Sequence, residues 1–135
     1  MIGITVAMHA VCLDFIIHRA RMAAVFARKH GHFAWKPLLS GIIVISVFAI
    51  HVVQIWIWAI LYLAMDSVSL HTLSDALYFS TVTFTTVGYG DIVLGPEIRM
   101  LSAIEAANGF LLFGWTAAFI FEVISHLYRR ETDYL

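Results

Sequence analysis

The feature that most constrains the fold is the apolar run from Leu38 to Met65, "LLSGIIVISVFAIHVVQIWIWAILYLAM", which carries no acidic or basic residue except His51. About 20 apolar residues suffice for a helix to cross the hydrocarbon core of a bilayer. Lipid offers no partner to an unpaired backbone group, so a single crossing segment must be helical. The run predicts a transmembrane helix over residues 38–65.

A second apolar segment extends from Ile98 to Leu127 and is interrupted by polar residues: Arg99, Glu105, Asn108 and Glu122. Polar side chains inside a membrane span are costly in lipid and normally face protein or a water-filled cavity. The segment therefore predicts a transmembrane helix over 98–127 that lines an internal space.

The first 18 residues form a third, shorter apolar stretch that includes His9 and Asp14. Basic residues follow this stretch, whereas a cleaved signal peptide carries them before its apolar core. We interpret residues 1–18 as an extra N-terminal transmembrane helix. The alternative is a helix that lies in the membrane interface.

The composition supports the membrane interpretation and excludes other classes. Of 135 residues, 61% are apolar and 13% are charged, which is too few polar residues to cover a small soluble domain. A net charge of −1 argues against a nucleic-acid partner. The sequence holds one cysteine and no zinc-spaced Cys/His cluster, phosphate loop or nucleophile elbow. It predicts no enzyme, no cofactor and no organic substrate.

The basic residues predict the orientation in the membrane. Seven of the eight lie in the connector 19–37 or in the tail 128–135: Arg19, Arg21, Arg28, Lys29, Lys36, Arg129 and Arg130. Basic residues flanking spans favour the cytoplasmic side. We therefore expect a multi-pass protein of the cell (inner) membrane, with a cytoplasmic C-terminus and the loop 66–97 outside.

The outer loop contains the start of a short helix, since Thr72 is followed three residues later by Asp75, as in a capping box. We predict a helix over 73–85. It is too short to cross the bilayer, but it can enter and return if protein surrounds it.

The stretch Thr86-Val87-Gly88-Tyr89-Gly90, preceded by Thr85 and followed by Asp91, comes directly after this helix. Glycine adopts left-handed backbone conformations cheaply, and such conformations let successive carbonyls point to one side. The run resembles the signature of potassium channels. The resemblance implies a filter at 86–90 that binds K⁺, the permeant ion, at Thr86, Val87, Gly88 and Tyr89. Read without the resemblance, the run is an ordinary glycine turn.

The resemblance covers roughly residues 38–127 and implies an all-α membrane protein. Its parts are an outer helix (38–65), a re-entrant pore helix (73–85), a filter loop and an inner pore-lining helix (98–127), with the extra helix 1–18 outside the pattern. One filter per chain requires several copies around the pore, so the family implies a homotetramer in lipid. Gly109 and Gly114 match the inner-helix glycines, which act as a hinge or as helix-packing positions.

Polar and aromatic residues of the inner helix are candidates for filter support and gating. Glu105 and Asn108 either bond to the back of the pore helix or line the cavity, and we favour the role of supporting the filter. Thr85 and Asp91 are further candidates for the support or the mouth of the filter. A ring of Phe121 side chains closes the pore by excluding water, or else these side chains face lipid. Glu122 and His126 lie four residues apart and form a pH-responsive pair or a solvated helix end.

The sequence departs from the family at Val82, where some relatives carry a glutamate that pairs with the signature aspartate. We therefore expect Asp91 to lack that partner. His51 is predicted to bond another helix, and His9, His30, His32 and His71 are too scattered for a metal site. The leading function is a potassium-selective pore. The alternatives are a nonselective cation channel and a non-conducting or regulatory subunit that assembles with other channels.

Overall fold

The structure is a computed structural model that describes residues 1–29, 34–65 and 70–129, without the side chains of residues 28 and 29. These residues form four α-helices and no strand: α1 (Ile2–Lys29), α2 (Trp35–Met65), α3 (Leu73–Phe84) and α4 (Arg99–Arg129). The predicted all-helical membrane architecture is confirmed. The connector 30–33, the loop start 66–69 and the tail 130–135 lie outside the described residues.

Three helices are long and apolar enough to cross a membrane, over Ile2–Ala27, Trp35–Met65 and Arg99–Arg129. The twelve residues of α3 are about 18 Å long, well short of the hydrocarbon core. The chain is thus a multi-pass membrane protein with one short helix between its last two spans.

The N-terminal helix is longer than the stretch predicted from sequence. α1 continues through Arg19 and Arg21 to Lys29, so most of the expected connector is helical. Long basic side chains can bury their stems and carry their charge toward the headgroups, so they need not end a membrane helix. α2 likewise begins at Trp35, three residues before the predicted start.

One face of α1 is buried against α2 and α4, along Thr5, His9, Leu13, Ala20 and Ala24. Ala20 and Ala24 pack with residues of both other spans, namely Leu39, Ile43, Val123 and Leu127. Leu13 packs with Val47 and Ile50. The small alanines let the helix backbones approach closely, which is how membrane helices associate without a hydrophobic driving force.

The short helix α3 packs against α2 and α4 at the far end of the bundle from Ala20 and Ala24. Its buried residues, Ala76, Phe79, Ser80 and Phe84, lie on one helical face. The core there also holds Trp58, Tyr62, Leu94 and Leu112. This packing places the C-terminal end of α3, and the glycine run that follows it, beside the middle of α4.

Candidate functional site

The helix that leads into the glycine run starts with the predicted capping box. The backbone N–H of Asp75 donates to Thr72 Oγ1 at 3.1 Å, and the N–H of Thr72 donates to Asp75 Oδ2 at 3.1 Å. Two N–H groups at the helix start are satisfied in this way. The cap sets where α3 begins, and therefore where its last carbonyls and residues 86–90 lie.

Along residues 86–90, every second residue has a left-handed backbone conformation. Thr86, Gly88 and Gly90 have positive φ angles of 62°, 51° and 78°. Positive φ is cheap for glycine and uncommon for a β-branched residue such as threonine. The sequence indicates left-handed backbone at the two glycines, but it carries no signal for Thr86.

Hydrogen bonds to α3 hold the run and the aspartate that follows it. The Gly88 N–H donates to the carbonyl of Val82 at 3.0 Å, and the Tyr78 hydroxyl donates to Asp91 Oδ2 at 2.7 Å. Val82 stands where some relatives carry the glutamate partner of this aspartate, and Tyr78, one turn before Val82 on α3, is the partner of Asp91 instead. Sequence alone offered no signal for this pair beyond the presence of a hydroxyl.

The Tyr78–Asp91 bond changes the protonation behaviour of both groups. The hydrogen bond that Asp91 accepts from the Tyr78 hydroxyl lowers the pKa of Asp91 below its ordinary value. The carboxylate in turn raises the pKa of Tyr78. Asp91 therefore carries its negative charge at neutral pH, at the end of the run.

Glu105 and Asn108, predicted as filter supports, make contacts with different helices. Ser80 of α3 donates its hydroxyl to Glu105 Oε1 at 2.6 Å, and the Ser80 oxygen also lies 3.0 Å from the carbonyl of Ile55 on α2. Asn108 Nδ2 instead donates to Thr5 Oγ1 of α1 at 3.0 Å. Glu105 thus lies behind α3, whereas Asn108 ties α4 to the N-terminal helix.

The two inner-helix glycines differ in their surroundings. A Cβ atom at Gly109 would overlap the backbone carbonyl of Phe84, the last residue of α3. A Cβ at Gly114 would meet nothing within 4 Å in the chain. Gly109 is therefore a position of close helix packing, and Gly114 faces open space in the single chain.

The residues predicted as a gate lie in the C-terminal half of α4. Phe121 is exposed and lines an open cavity with Ala117, Ser125 and Tyr128. Glu122 and His126 line another cavity, together with Arg21 of α1. The structure thus places Phe121 on a different side of α4 from Glu122 and His126.

Two large side chains of the glycine run are largely uncovered in the single chain. Val87 is 52% exposed and Tyr89 71% exposed. Large apolar and aromatic side chains exposed together mark a surface that contacts protein or the membrane.

His51 makes the helix-to-helix hydrogen bond that the sequence predicts, with Thr116 of α4 at 2.9 Å. Its ring also packs against Phe113 and Phe84, with centroid distances of 4.6 Å and 6.0 Å. His9, one of the histidines predicted to be too scattered for a metal site, lies beside His51, with the two ring centroids 5.2 Å apart. No group of three or more potential metal ligands occurs among the described side chains.

Comparison with known proteins identifies the class. The family model described as "Ion channel" matches residues 39–126, from early α2 to near the end of α4. The chain belongs to this ion channel family, and it is a channel protein, not an enzyme. The match includes the whole of α3 and the glycine run, and it leaves α1 outside.

Several curated proteins are similar to part of the chain. Two-pore potassium channel 1 of Arabidopsis thaliana is 41% identical over 78 residues, which are 55% of this chain and 18% of that protein. Two pore potassium channel a of Oryza sativa subsp. japonica is 37% identical over 73 residues, 52% of this chain and 20% of that protein. The human delayed-rectifier potassium channel regulatory subunit KCNS2 is 36% identical over 67 residues, which are 49% of this chain and 14% of that protein. No solved structure matches.

Proposed function

We propose that the chain is the pore subunit of a potassium-selective channel, in which four copies surround one pore and K⁺ passes through their combined filters. The observation that carries the proposal is the alternating backbone of Thr86, Gly88 and Gly90, at the C-terminal end of a short helix between two spans. Carbonyls presented by such a backbone would replace the water around K⁺ at Thr86, Val87, Gly88 and Tyr89.

Three further observations support this function. Two relatives, from Arabidopsis thaliana and Oryza sativa, are named as potassium channels. The helix dipole places partial negative charge at the C-terminal end of α3, which favours a cation held nearby in the membrane. The ionised Asp91 adds negative charge at the mouth, where it concentrates cations. In this arrangement the basic residues of α1, and Arg129 of α4, face the cytoplasm of the cell (inner) membrane, and the filter opens to the outside.

The exposure of Val87 and Tyr89 supports assembly, because neighbouring copies would cover these side chains. A homotetramer is the arrangement that fits one filter per chain. Phe121 then faces the pore axis near its inner end, and Gly114 is free to bend α4.

The test is ion flux into liposomes that contain the purified chain. We expect K⁺ flux with Na⁺ flux at background, and loss of this preference in Gly88→Ala, since a non-glycine residue costs roughly 1–2 kcal/mol in left-handed backbone. Gly41→Ala is the matched control, because Gly41 lies in α2 with nothing within 4 Å of the added Cβ. Equal Na⁺ and K⁺ flux in the wild type would favour the nonselective cation channel instead.

A second candidate function is a regulatory subunit, favoured by the similarity to KCNS2, which is named as a potassium channel regulatory subunit. Under this alternative the chain would pass no ions alone and would alter the current of another channel with which it assembles. Co-expression with a conducting relative, measured beside the chain alone, separates the two functions.

A further inference from the structure

Six polar side chains are buried between α1, α2 and α4, and the proposed pore does not use them. They are Thr5 and His9 of α1, His51 and Gln54 of α2, and Asn108 and Thr116 of α4. Polar groups inside membrane spans are rare and costly, and they usually mark a functional site. This cluster also lies partly outside the ion channel family match, because that match leaves out α1.

Four of these side chains form a closed ring of hydrogen bonds. His51 Nδ1 lies 3.0 Å from Gln54 Oε1, and Gln54 Nε2 lies 3.3 Å from His9 Nδ1. His9 Nε2 lies 3.2 Å from Thr116 Oγ1, which lies 2.9 Å from His51 Nε2. We call this set, His9, His51, Gln54 and Thr116, the imidazole ring cluster.

The direction of every bond in the cluster follows from one backbone carbonyl. Gln54 Nε2 also donates to the carbonyl of Thr5 at 3.2 Å, which requires the amide nitrogen on that side and its oxygen toward His51. An amide oxygen accepts, so His51 Nδ1 must carry a proton, and His51 Nε2 then accepts from Thr116. The Thr116 oxygen in turn accepts from a protonated His9 Nε2, and His9 Nδ1 accepts from Gln54. All partners are satisfied with both imidazoles neutral.

An added proton on His9 breaks this arrangement. It would reside on Nδ1 and face the amide N–H of Gln54, so two donors would meet. Rotating the amide by half a turn relieves that contact, but it places the Gln54 oxygen against the Thr5 carbonyl. The cluster therefore has no fully bonded form with a charged His9, and buried unpaired groups are expensive.

The cluster contacts α4 close to the two glycines of that helix. Thr116 is two residues after Gly114, and Asn108, which bonds to Thr5, is one residue before Gly109. α1 is thus tied to α4 on both sides of the two glycines. His51 also contacts Phe84, the residue before Thr85 and the glycine run.

We propose that the imidazole ring cluster is a proton-sensitive latch, which holds α1 on α4 while both imidazoles are neutral and releases it when His9 is protonated. The proposal rests on the proposed pore function, because the released part is the bending segment Gly109–Gly114. Latched, α4 is restrained on both sides of that segment. Released, it can bend, so acid increases ion flux.

The surroundings leave the two histidines as the groups that titrate. The side chains against them are otherwise uncharged: Phe84, Phe113, Trp115 and Thr116. Two other ionisable residues lie nearby along the helices. Glu105 is bonded to Ser80 of α3, and Cys12 packs beside Leu13 and Val47.

The first test reads the protons directly and does not depend on ion flux. Solid-state NMR of ¹⁵N-histidine-labelled protein in bilayers distinguishes protonated from bare ring nitrogens, with the His9→Gln and His51→Gln variants giving the assignment. At neutral pH we expect His51 protonated at Nδ1 and His9 at Nε2, both uncharged. The opposite tautomers, or a charged ring at neutral pH, would overturn the latch.

The second test measures K⁺ flux into liposomes between neutral and acidic pH. We expect wild-type K⁺ flux to rise several-fold on acidification. In Thr116→Val, which keeps the shape of the side chain but removes the hydroxyl, we expect the flux to be high already at neutral pH and to change less with acid. His9→Gln should also flatten the response. His18→Gln, an exposed histidine on the same helix, is the control and should keep the wild-type curve.

The outcomes separate the two proposals. A wild-type chain that passes no ions at any pH would overturn the pore, and with it the gating role, whatever the tautomers. Flux that is unchanged by acid, or identical in Thr116→Val and wild type, would overturn the latch and leave the pore in place.

Discussion

Thr86 adopts a backbone conformation that threonine rarely takes. Its φ of 62° puts a β-branched side chain in left-handed backbone, which costs on the order of 1–3 kcal/mol. Its N–H donates to the carbonyl of Thr83 at 2.9 Å, and Thr85 is bonded twice to Thr81. The end of α3 therefore holds the strained residue from one side.

The Tyr78–Asp91 bond gives a prediction at the residue scale. Tyr78→Phe removes the hydroxyl that Asp91 accepts, so the end of the filter loses its link to α3. We expect K⁺ currents that decline faster during sustained conduction, with initial selectivity retained. Recordings from planar bilayers measure this. Tyr128→Phe, at the other end of the molecule, should behave as wild type, and unchanged currents in Tyr78→Phe would show that the bond does not support the filter.

The same bond predicts a pH range for filter stability. The pKa of Asp91 is lowered in the folded protein, so its contribution is complete above the ordinary carboxyl value of about 4 and is lost as pH falls through the lowered value. The pKa of Tyr78 is raised, so its contribution is complete below about 10 and is lost as pH rises through the raised value. The wild type and Tyr78→Phe should therefore differ in current decline across the whole neutral range. Curves that converge at neutral pH would contradict this.

At the scale of helices, one buried hydroxyl links α3 to α4 by a hydrogen bond. Ser80→Ala leaves the Glu105 carboxyl without its short bond, and an unsatisfied buried polar group costs about 1–3 kcal/mol. We expect a lower thermal midpoint of the detergent-solubilised protein. Ser46→Ala is the control, because Ser46 is only half-buried and its hydroxyl donates to the Ile42 carbonyl of its own helix. Equal thermal midpoints in the two variants would show that Ser80 does not support α3.

The two glycines of α4 are predicted to respond oppositely to alanine. Gly109→Ala forces a Cβ into the Phe84 carbonyl, and overpacking of this kind costs typically 1–3 kcal/mol. Gly114→Ala meets open space in the single chain and should gain up to about 1 kcal/mol of helix stability. Thermal unfolding of both variants measures the difference. Destabilisation by Gly114→Ala would show that a neighbouring copy packs against Gly114.

At the scale of the whole molecule, the exposed filter side chains predict the assembly. Val87 and Tyr89 are exposed in the single chain, and in the proposed ring of four chains neighbouring copies would cover them. We expect a protein mass of four chains of 15.2 kDa each in light scattering of the detergent complex. A monomer that remains folded and passes no ions would contradict both the assembly and the pore.

Much of this fold follows from the sequence, because length and polarity decide which segments cross a membrane. The runs at Leu38–Met65 and Ile98–Leu127 and the cap at Thr72 predict α2, α4 and the start of α3 closely. The end of α1 was missed because basic residues do not by themselves stop a helix. The partners Tyr78–Asp91 and His9–His51 were missed because side-chain pairing across 13 or 42 residues leaves no periodic signal. Thr5 and His9, four residues apart on one face of an apolar helix, were the available sign of a buried polar cluster.

The contact between Gly109 and the carbonyl of Phe84 joins two helices without any side chain of α4 between them. Flexible side chains absorb small displacements, whereas a bare backbone against a carbonyl passes them on. A rotation of α4 at this point would therefore push directly on the residue that precedes Thr85. In the proposed channel, a movement of α4 that opens the inner end would therefore also change the shape of the filter at the outer end.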